Sequence, residues 1–251
     1  MRLSRLIARL DVKGENLIKS VQFEGLRVMG DPAEAAIRYY EGGVDEILYV
    51  DPVASLYGRN GLHDILRRTV RDVFVPITAV GGIRCTDDAR AVLRSGADKV
   101  GVNTAALERP QLIGELAEEF GSQCVVLSIE AKTRPDGTWE CFGENGREAT
   151  GRAPSDWAAE AVERGAGEVL VTSVDREGTR RGFDDALVAS VRRSVGVPVI
   201  ASGGMGTPEH LVSVLDAGAD GAAVADAFHY GRWEVPALRD ALVDRGVGLR
   251  K

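Results

Sequence analysis

The sequence is poor in the residues that build metal centres and disulfide frameworks. Three cysteines (Cys85, Cys124, Cys141) and three histidines (His63, His210, His229) are spread over 251 residues. The cysteines are odd in number, lack C-x-x-C spacing and lie far from the histidines, so no structural zinc and no other metal or cofactor is expected, and reduced thiols in a cytoplasmic setting are. Positive charge is also in deficit: 31 Lys and Arg face 38 Asp and Glu, a net charge of -7. That balance argues against wrapping a nucleic acid or lying on an anionic membrane, although a local phosphate pocket is compatible with it. No apolar run approaches the roughly 20 residues of a membrane span, and MRLSRLIARLDVKG has two early arginines but no signal-peptide core. What is present, 44% hydrophobic and 27% charged residues, suits an ordinary soluble globular protein.

Short Val/Ile/Leu-rich runs alternate with helical patterns, as in parallel strands covered by crossover helices. Eight strands are predicted: Leu6–Val12, Glu46–Asp51, Ile77–Gly81, Lys99–Asn103, Cys124–Glu130, Glu168–Val174, Val199–Gly203 and Gly221–Asp226. Helices are predicted to begin near Pro32, Leu62, Thr86, Pro110, Pro154, Asp184, Pro208 and Pro236, and several close on a glycine, as at Gly96, Gly165 and Gly218. One strand–helix unit per roughly 30 residues, eight times over, is the arithmetic of a (β/α)8 barrel, since open doubly wound sheets usually stop at about six strands. The prediction is one α/β domain over residues 1–251, a (β/α)8 TIM barrel.

The segment VPITAVGGIRCTDDARAVLRSGADKVGVNTAA from Val75 aligns without gaps with VPVIASGGMGTPEHLVSVLDAGADGAAVADAF from Val197. Pro76/Pro198, Gly81/Gly203, Gly82/Gly204, Gly96/Gly218 and Asp98/Asp220 fall in register, and LDVK at Leu10 matches IEAK at Ile129. Such a repeat of about half the chain reads as two duplicated half-barrels.

Active sites of such barrels lie at the C-terminal strand ends. Asp11 and Glu130 end the first and fifth predicted strands, which oppose each other in an eight-stranded ring. Two carboxyls across one mouth are a natural acid and base, because repulsion and burial separate their proton affinities. The plainer alternative is that each caps a loop or pairs with Lys13 or Lys132. Gly81-Gly82 and Gly203-Gly204 follow the third and seventh strands and Asn103-Thr104 the fourth, where backbone N–H groups could cradle anions. For a lone Gly-Gly a tight turn is the simpler account, but the pairing across the repeat points to a ligand with phosphates at both ends. Asp226 stands where the repeat matches Thr104, an anion where donors are wanted, which argues against an intact second site. At the opposite strand ends Arg5, Glu46, Lys99 and Glu168 form a set of alternating sign, either a stabilising network or a gate.

These residues resemble the HisF family, the cyclase subunits of imidazole glycerol phosphate synthase. The likeness runs through RLDVK near Asp11, Lys19, GLRVMGDP, VGGIR, GADKVGVNTAA, FGSQCVVLSIEAK, GAGEVLVTSVDREGT, PVIASGGMGTPEH and FHYG. It implies general acid and base roles at Asp11 and Glu130, and substrate or phosphate contacts at Lys19, Gly82, Asn103, Thr104, Gly178, Gly204 and Asp226. It further implies an ammonia gate of Arg5, Glu46, Lys99 and Glu168, and an interface residue, Asp98, toward a docked HisH-like glutaminase.

Against the family pattern, Glu130 replaces an aspartate and lengthens the arm by a methylene, more than the roughly half-ångström tolerance of a tuned acid–base geometry. Asp226 replaces a phosphate-binding serine and Glu177 an aspartate, Arg9 and Val80 stand where smaller residues are usual, and VASLYGRN is an unusual loop. The leading expectation is a synthase subunit that adds channelled ammonia to a phosphorylated acceptor. The alternatives are a divergent HisF paralogue serving another acceptor, in an amidino-sugar or secondary pathway, and a HisA-like sugar isomerase, which needs no ammonia.

Overall fold

The computed structural model describes residues 3–54 and 62–250. Eight parallel strands close into a ring in chain order: β1 (Arg5–Lys13), β4 (Glu46–Val50), β5 (Ile77–Val80), β6 (Lys99–Val102), β7 (Val125–Thr133), β10 (Glu168–Ser173), β11 (Val199–Ser202) and β12 (Gly221–Val224). The ring closes where Ala8 of β1 lies opposite Val224 of β12. The barrel expected from sequence is thus the fold, and each barrel strand begins within one residue of its predicted start. The main departures are at two strand ends and one strand start. Cys124 belongs to a 3-10 turn over Ser122–Cys124, and Asp11 and Glu130 do not end their strands. Beyond the barrel wall β1 and β7 continue into antiparallel ribbons with β2 (Asn16–Val21), β3 (Glu24–Gly30), β8 (Trp139–Gly143) and β9 (Glu148–Ala149).

The eight expected helices are present: α1 (Pro32–Glu41), α2 (Leu62–Thr69), α3 (Thr86–Arg94), α5 (Gln111–Phe120), α6 (Pro154–Glu163), α7 (Asp185–Ser194), α8 (Pro208–Asp216) and α10 (Val235–Val243). Among the described residues two short ones are additional to the expectation, α4 (Thr104–Glu108) and α9 (Asp226–His229). Local chemistry starts the long helices: Asp31 accepts from the N–H groups of Ala33 (2.8 Å) and Glu34 (3.0 Å) ahead of Pro32, and Asp184 accepts from Leu187 N–H (3.0 Å). Among the described residues no helix is long and apolar enough to cross a membrane.

Strand alternation divides the core into two. Leu6, Ala8, Leu10, Ile47 and Tyr49 face outward to the helices, whereas Ile7, Leu48, Val50, Val80, Val126, Leu170, Ile200 and Ala223 fill the barrel interior. The same parity turns Arg5, Arg9 and Asp11 of β1 and Glu130 of β7 inward. The duplication repeats in three dimensions: carboxylates of Asp45, Asp98 and Asp220 each accept the N–H of a neighbouring strand's first residues, Leu6 (2.7 Å), Ile77 (2.8 Å) and Val199 (2.9 Å). At Gly81 (φ 110°) and Gly203 (φ 89°) an added Cβ would lie 2.5 Å from Asp51 O and 2.7 Å from Ser173 O. Both therefore need glycine for a tight turn, as the simpler account of Gly-Gly holds. Most of the VASLYGRN loop lies outside the described residues.

Candidate active site

Asp11 and Glu130 sit where the strands lift off the barrel. Asp11 pairs with Val50 on the barrel side and Ile18 on the ribbon side, and Glu130 likewise with Thr172 and Phe142. Asp11 is buried and accepts a hydrogen bond from Arg9 Nε at 2.8 Å, a charge-assisted pair. Glu130 has an enclosed Oε2 without a hydrogen-bond partner. Burial pushes its pKa up to about 7; Arg9 and the Gly146 N–H pull against this, while Asp11 and Glu144 reinforce it. The two carboxyls are thus in different surroundings, Asp11 salt-bridged and Glu130 with one enclosed oxygen left unpartnered.

The phosphate residues expected in the first half come together. Gly82, Asn103 and Thr104 line a cavity of about 180 Å³ with Glu130 and Asp51. Their polar groups are also tied to the β8–β9 ribbon: Asn103 Nδ2 donates to Phe142 O (3.2 Å), and Thr104 Oγ1 accepts from Glu144 N–H (3.0 Å). In the second half Gly178 and Asp226 line two spaces. The inner one, shared with Gly204 and Arg9, holds only about 10 Å³. The outer, of about 330 Å³, is shared with Lys19, Arg27, Arg180 and Arg232.

Asp226 has cationic partners. The carboxylate does not confront a ligand bare, because Arg232 Nε donates to it at 3.1 Å and Arg180 Nε lies 3.9 Å away. Arg180 and Arg232 stand one residue beyond the DREGT and FHYG segments, and neither is itself part of a motif. Lys19 is buried and ion-paired with Glu177, and donates to Ser20 O at 2.7 Å. Glu177, which stood out only as a departure from the family, thereby neutralises a buried cation.

Arg9 is large for its position against the family pattern, and nothing in the sequence alone assigns it a partner. Its Nη1 donates to Thr172 Oγ1 (3.1 Å) and Ser202 Oγ (2.9 Å), so the side chain reaches from β1 to β10 and β11. Ala223, the inward residue of the intervening β12, is short enough to let it pass.

At the barrel floor the four expected charges form one closed ring. Arg5 pairs with Glu46 (2.7 Å) and Glu168, and Lys99 pairs with Glu46 (3.1 Å) and Glu168 (2.7 Å). Burial works against the charge on Glu46, but Lys99 and Arg5 outweigh it and hold the carboxyl below its ordinary range. Asp98 lies exposed at this end with its carboxylate bound to Ile77 N–H.

Comparison with known proteins agrees with this geometry. Residues 5–234 match the family profile described as histidine biosynthesis protein. The chain is 60% identical over 207 residues to "Imidazole glycerol phosphate synthase subunit HisF" of Legionella pneumophila, covering 82% of this chain and 98% of that protein. It is 48% identical over 251 residues to the HisF of Solibacter usitatus, covering 100% of this chain and 99% of that protein. It is 46% identical over 246 residues to the HisF of Gluconacetobacter diazotrophicus, covering 98% and 95%. With barrel, duplicated half and charged floor in agreement with these likenesses, the chain belongs to the histidine-biosynthesis barrels and, among them, to the HisF family of cyclase subunits of imidazole glycerol phosphate synthase.

Proposed function

We propose that this chain joins ammonia to a phosphorylated acceptor at the barrel mouth, with Asp11 and Glu130 as its acid–base pair. The observation that carries the reading is their environment: two inward carboxyls on opposed strands, one ion-paired and one held protonated to about pH 7. Ammonia comes from a HisH-like glutaminase docked at the floor, through the ring of Arg5, Glu46, Lys99 and Glu168, with Asp98 at the interface, in a cytoplasmic heterodimer. The relatives' name supports this partner and the acceptor of the ordinary reaction, the ribulosyl aminoimidazole carboxamide nucleotide. The products are then imidazole glycerol phosphate and the carboxamide ribotide. One phosphate binds at Gly82, Asn103 and Thr104, the other near Lys19, Gly178, Gly204 and Asp226.

The test is turnover of that nucleotide by the purified chain with concentrated ammonium salt at alkaline pH, which bypasses the glutaminase. A rate of roughly 1 s⁻¹ or more supports the reading. A second reading, ammonia delivered to a different acceptor such as an amidino-sugar precursor, is favoured by one observation: Arg9 lines the inner second-half space beside Gly204, which holds only about 10 Å³ against about 180 Å³ in the first-half cavity. A folded chain without turnover of the nucleotide points to it. The complete floor ring and the HisF relatives weigh against an ammonia-independent isomerase.

A further inference from the structure

We propose that Arg9 is the positioning residue of the acid–base pair: laid from β1 to β10 and β11, it holds the Asp11 carboxylate in one orientation, so that Asp11 serves as base and Glu130 as acid. The inference rests on the amination reading above. A guanidinium inside a barrel is costly unless its donors are met, and here the acceptors come from three strands: Asp11 Oδ1 at 2.8 Å, Thr172 Oγ1 at 3.1 Å and Ser202 Oγ at 2.9 Å. Two hydroxyl anchors on Nη1 leave Nε one direction to point, toward Asp11. The planar fork thereby fixes the carboxylate as a flexible ammonium would not. Phe23, from the turn between β2 and β3, lies under the guanidinium at 6.0 Å and closes it from the ribbon side.

The pairing of charges around the mouth assigns the roles. Arg9 and Asp11 come from β1, Lys19 from β2, Glu130 from β7, Glu144 from the turn after β8, Glu177 from the loop after β10, and Asp51 from the end of β4. His229 of α9 contributes no charge at neutral pH, because burial pushes its pKa down to about 3. Lys19 is committed to Glu177 and Arg9 to Asp11, which leaves Glu130 without a salt-bridge partner of its own among the described residues. In forming the bond from nitrogen to an acceptor carbonyl carbon, the carbonyl π bond opens, the nitrogen gives one proton to Asp11, and the oxygen takes one from Glu130. Without Arg9 the two carboxyls would compete for one proton and the roles would blur.

The experiment compares the full chain with Arg9→Met, Arg9→Lys and the pair Thr172→Val with Ser202→Ala. Carboxyl ¹³C NMR of glutamate-labelled protein follows Glu130, identified by the signal lost in Glu130→Gln, and needs no turnover. Arg9→Met is expected to move the Glu130 midpoint up by about one pH unit, and Arg9→Lys to leave it near that of the parent chain. Ammonium-driven turnover is expected to fall roughly tenfold or more in Arg9→Met, with its pH profile displaced to the alkaline side and the ammonia KM little changed. Arg9→Lys restores part of it. Should Arg9→Met not fold, the Thr172→Val, Ser202→Ala chain carries the test, since it keeps the charge but frees its direction; a loss of turnover of about threefold or more is expected. A Glu130 midpoint unmoved in folded Arg9→Met, or full turnover in the unanchored chain, overturns the proposal. If the midpoint moves as stated while no chain turns over the nucleotide, the hold of Arg9 on the pair stands and the nucleotide falls as the acceptor.

Discussion

Arg232 donates from Nε to Asp226 at 3.1 Å, and this one contact bears on the proposed second-half phosphate site. An uncompensated aspartate would repel a phosphate, whereas here it occupies two cations, Arg232 and Arg180, that a phosphate would otherwise use. Asp226→Ser releases both. Binding of the bisphosphorylated nucleotide without ammonium, followed by calorimetry, is expected to strengthen roughly tenfold and to become more salt-sensitive. Unchanged affinity would mean the ligand does not reach these guanidiniums.

Asp11→Asn keeps the volume and an oxygen acceptor for Arg9 Nε but removes the charge. Ammonium-driven turnover is expected to drop by roughly a hundredfold or more, with the circular dichroism of the parent chain retained. Activity within a few-fold of the parent would remove Asp11 from the pair.

Glu130 exerts a pH-dependent load on the fold. Its folded pKa of about 7 lies above the ordinary 4.5, so as pH rises the unfolded chain ionises first. Stability is full below about 4.5, declines between 4.5 and 7, and above 7 is lower by an amount on the order of 3 kcal/mol. Glu130→Gln removes this load along with the acid. Its melting temperature is expected to exceed the parent's by about 5 °C or more at pH 8 and to match it near pH 4, while turnover is lost.

The floor ring depends on the balance of its charges. Glu168 takes donors from both Arg5 and Lys99, and Glu168→Gln leaves these two cations sharing Glu46, where Arg250 already lies at 3.9 Å. Urea unfolding is expected to show a loss of about 2–4 kcal/mol. A change below 0.5 kcal/mol would mark the ring as an exposed network of little consequence.

Asp98 has a structural duty separable from its expected place at an interface. Asp98→Asn retains an oxygen for Ile77 N–H and removes only the charge. The barrel's stability should change little, and co-elution with the cognate glutaminase on size exclusion should weaken roughly tenfold if the charge is read by the partner. An undiminished complex would leave Asp98 as a strand clip like Asp45 and Asp220.

Much of the fold was legible because a closed parallel barrel turns local rules into global position. Short β-branched runs, proline at helix starts and glycine at helix ends mark each unit. With right-handed crossovers, chain order then becomes ring order, so the first and fifth strands must oppose. That is why Asp11 and Glu130 could be placed across one mouth, and why the floor charges could be grouped without coordinates. The two ribbons escaped notice because β3 is mostly exposed and β9 has only two residues, so neither carries the apolar pattern that identifies a strand.

The sequence by itself determined the barrel, its duplication, the opposed carboxyls and the ring of alternating charge, since each follows from periodicity or from order along the chain. The partnerships of the site were decided only in the tertiary structure. Arg9 meets hydroxyls 163 and 193 residues away, Lys19 finds Glu177 at a separation of 158, and Asp226 is neutralised by arginines from two loops. No local signal encodes such contacts, because a side chain's charge state depends on what the fold places within a few ångströms of it, and that distance exists only once the barrel has closed.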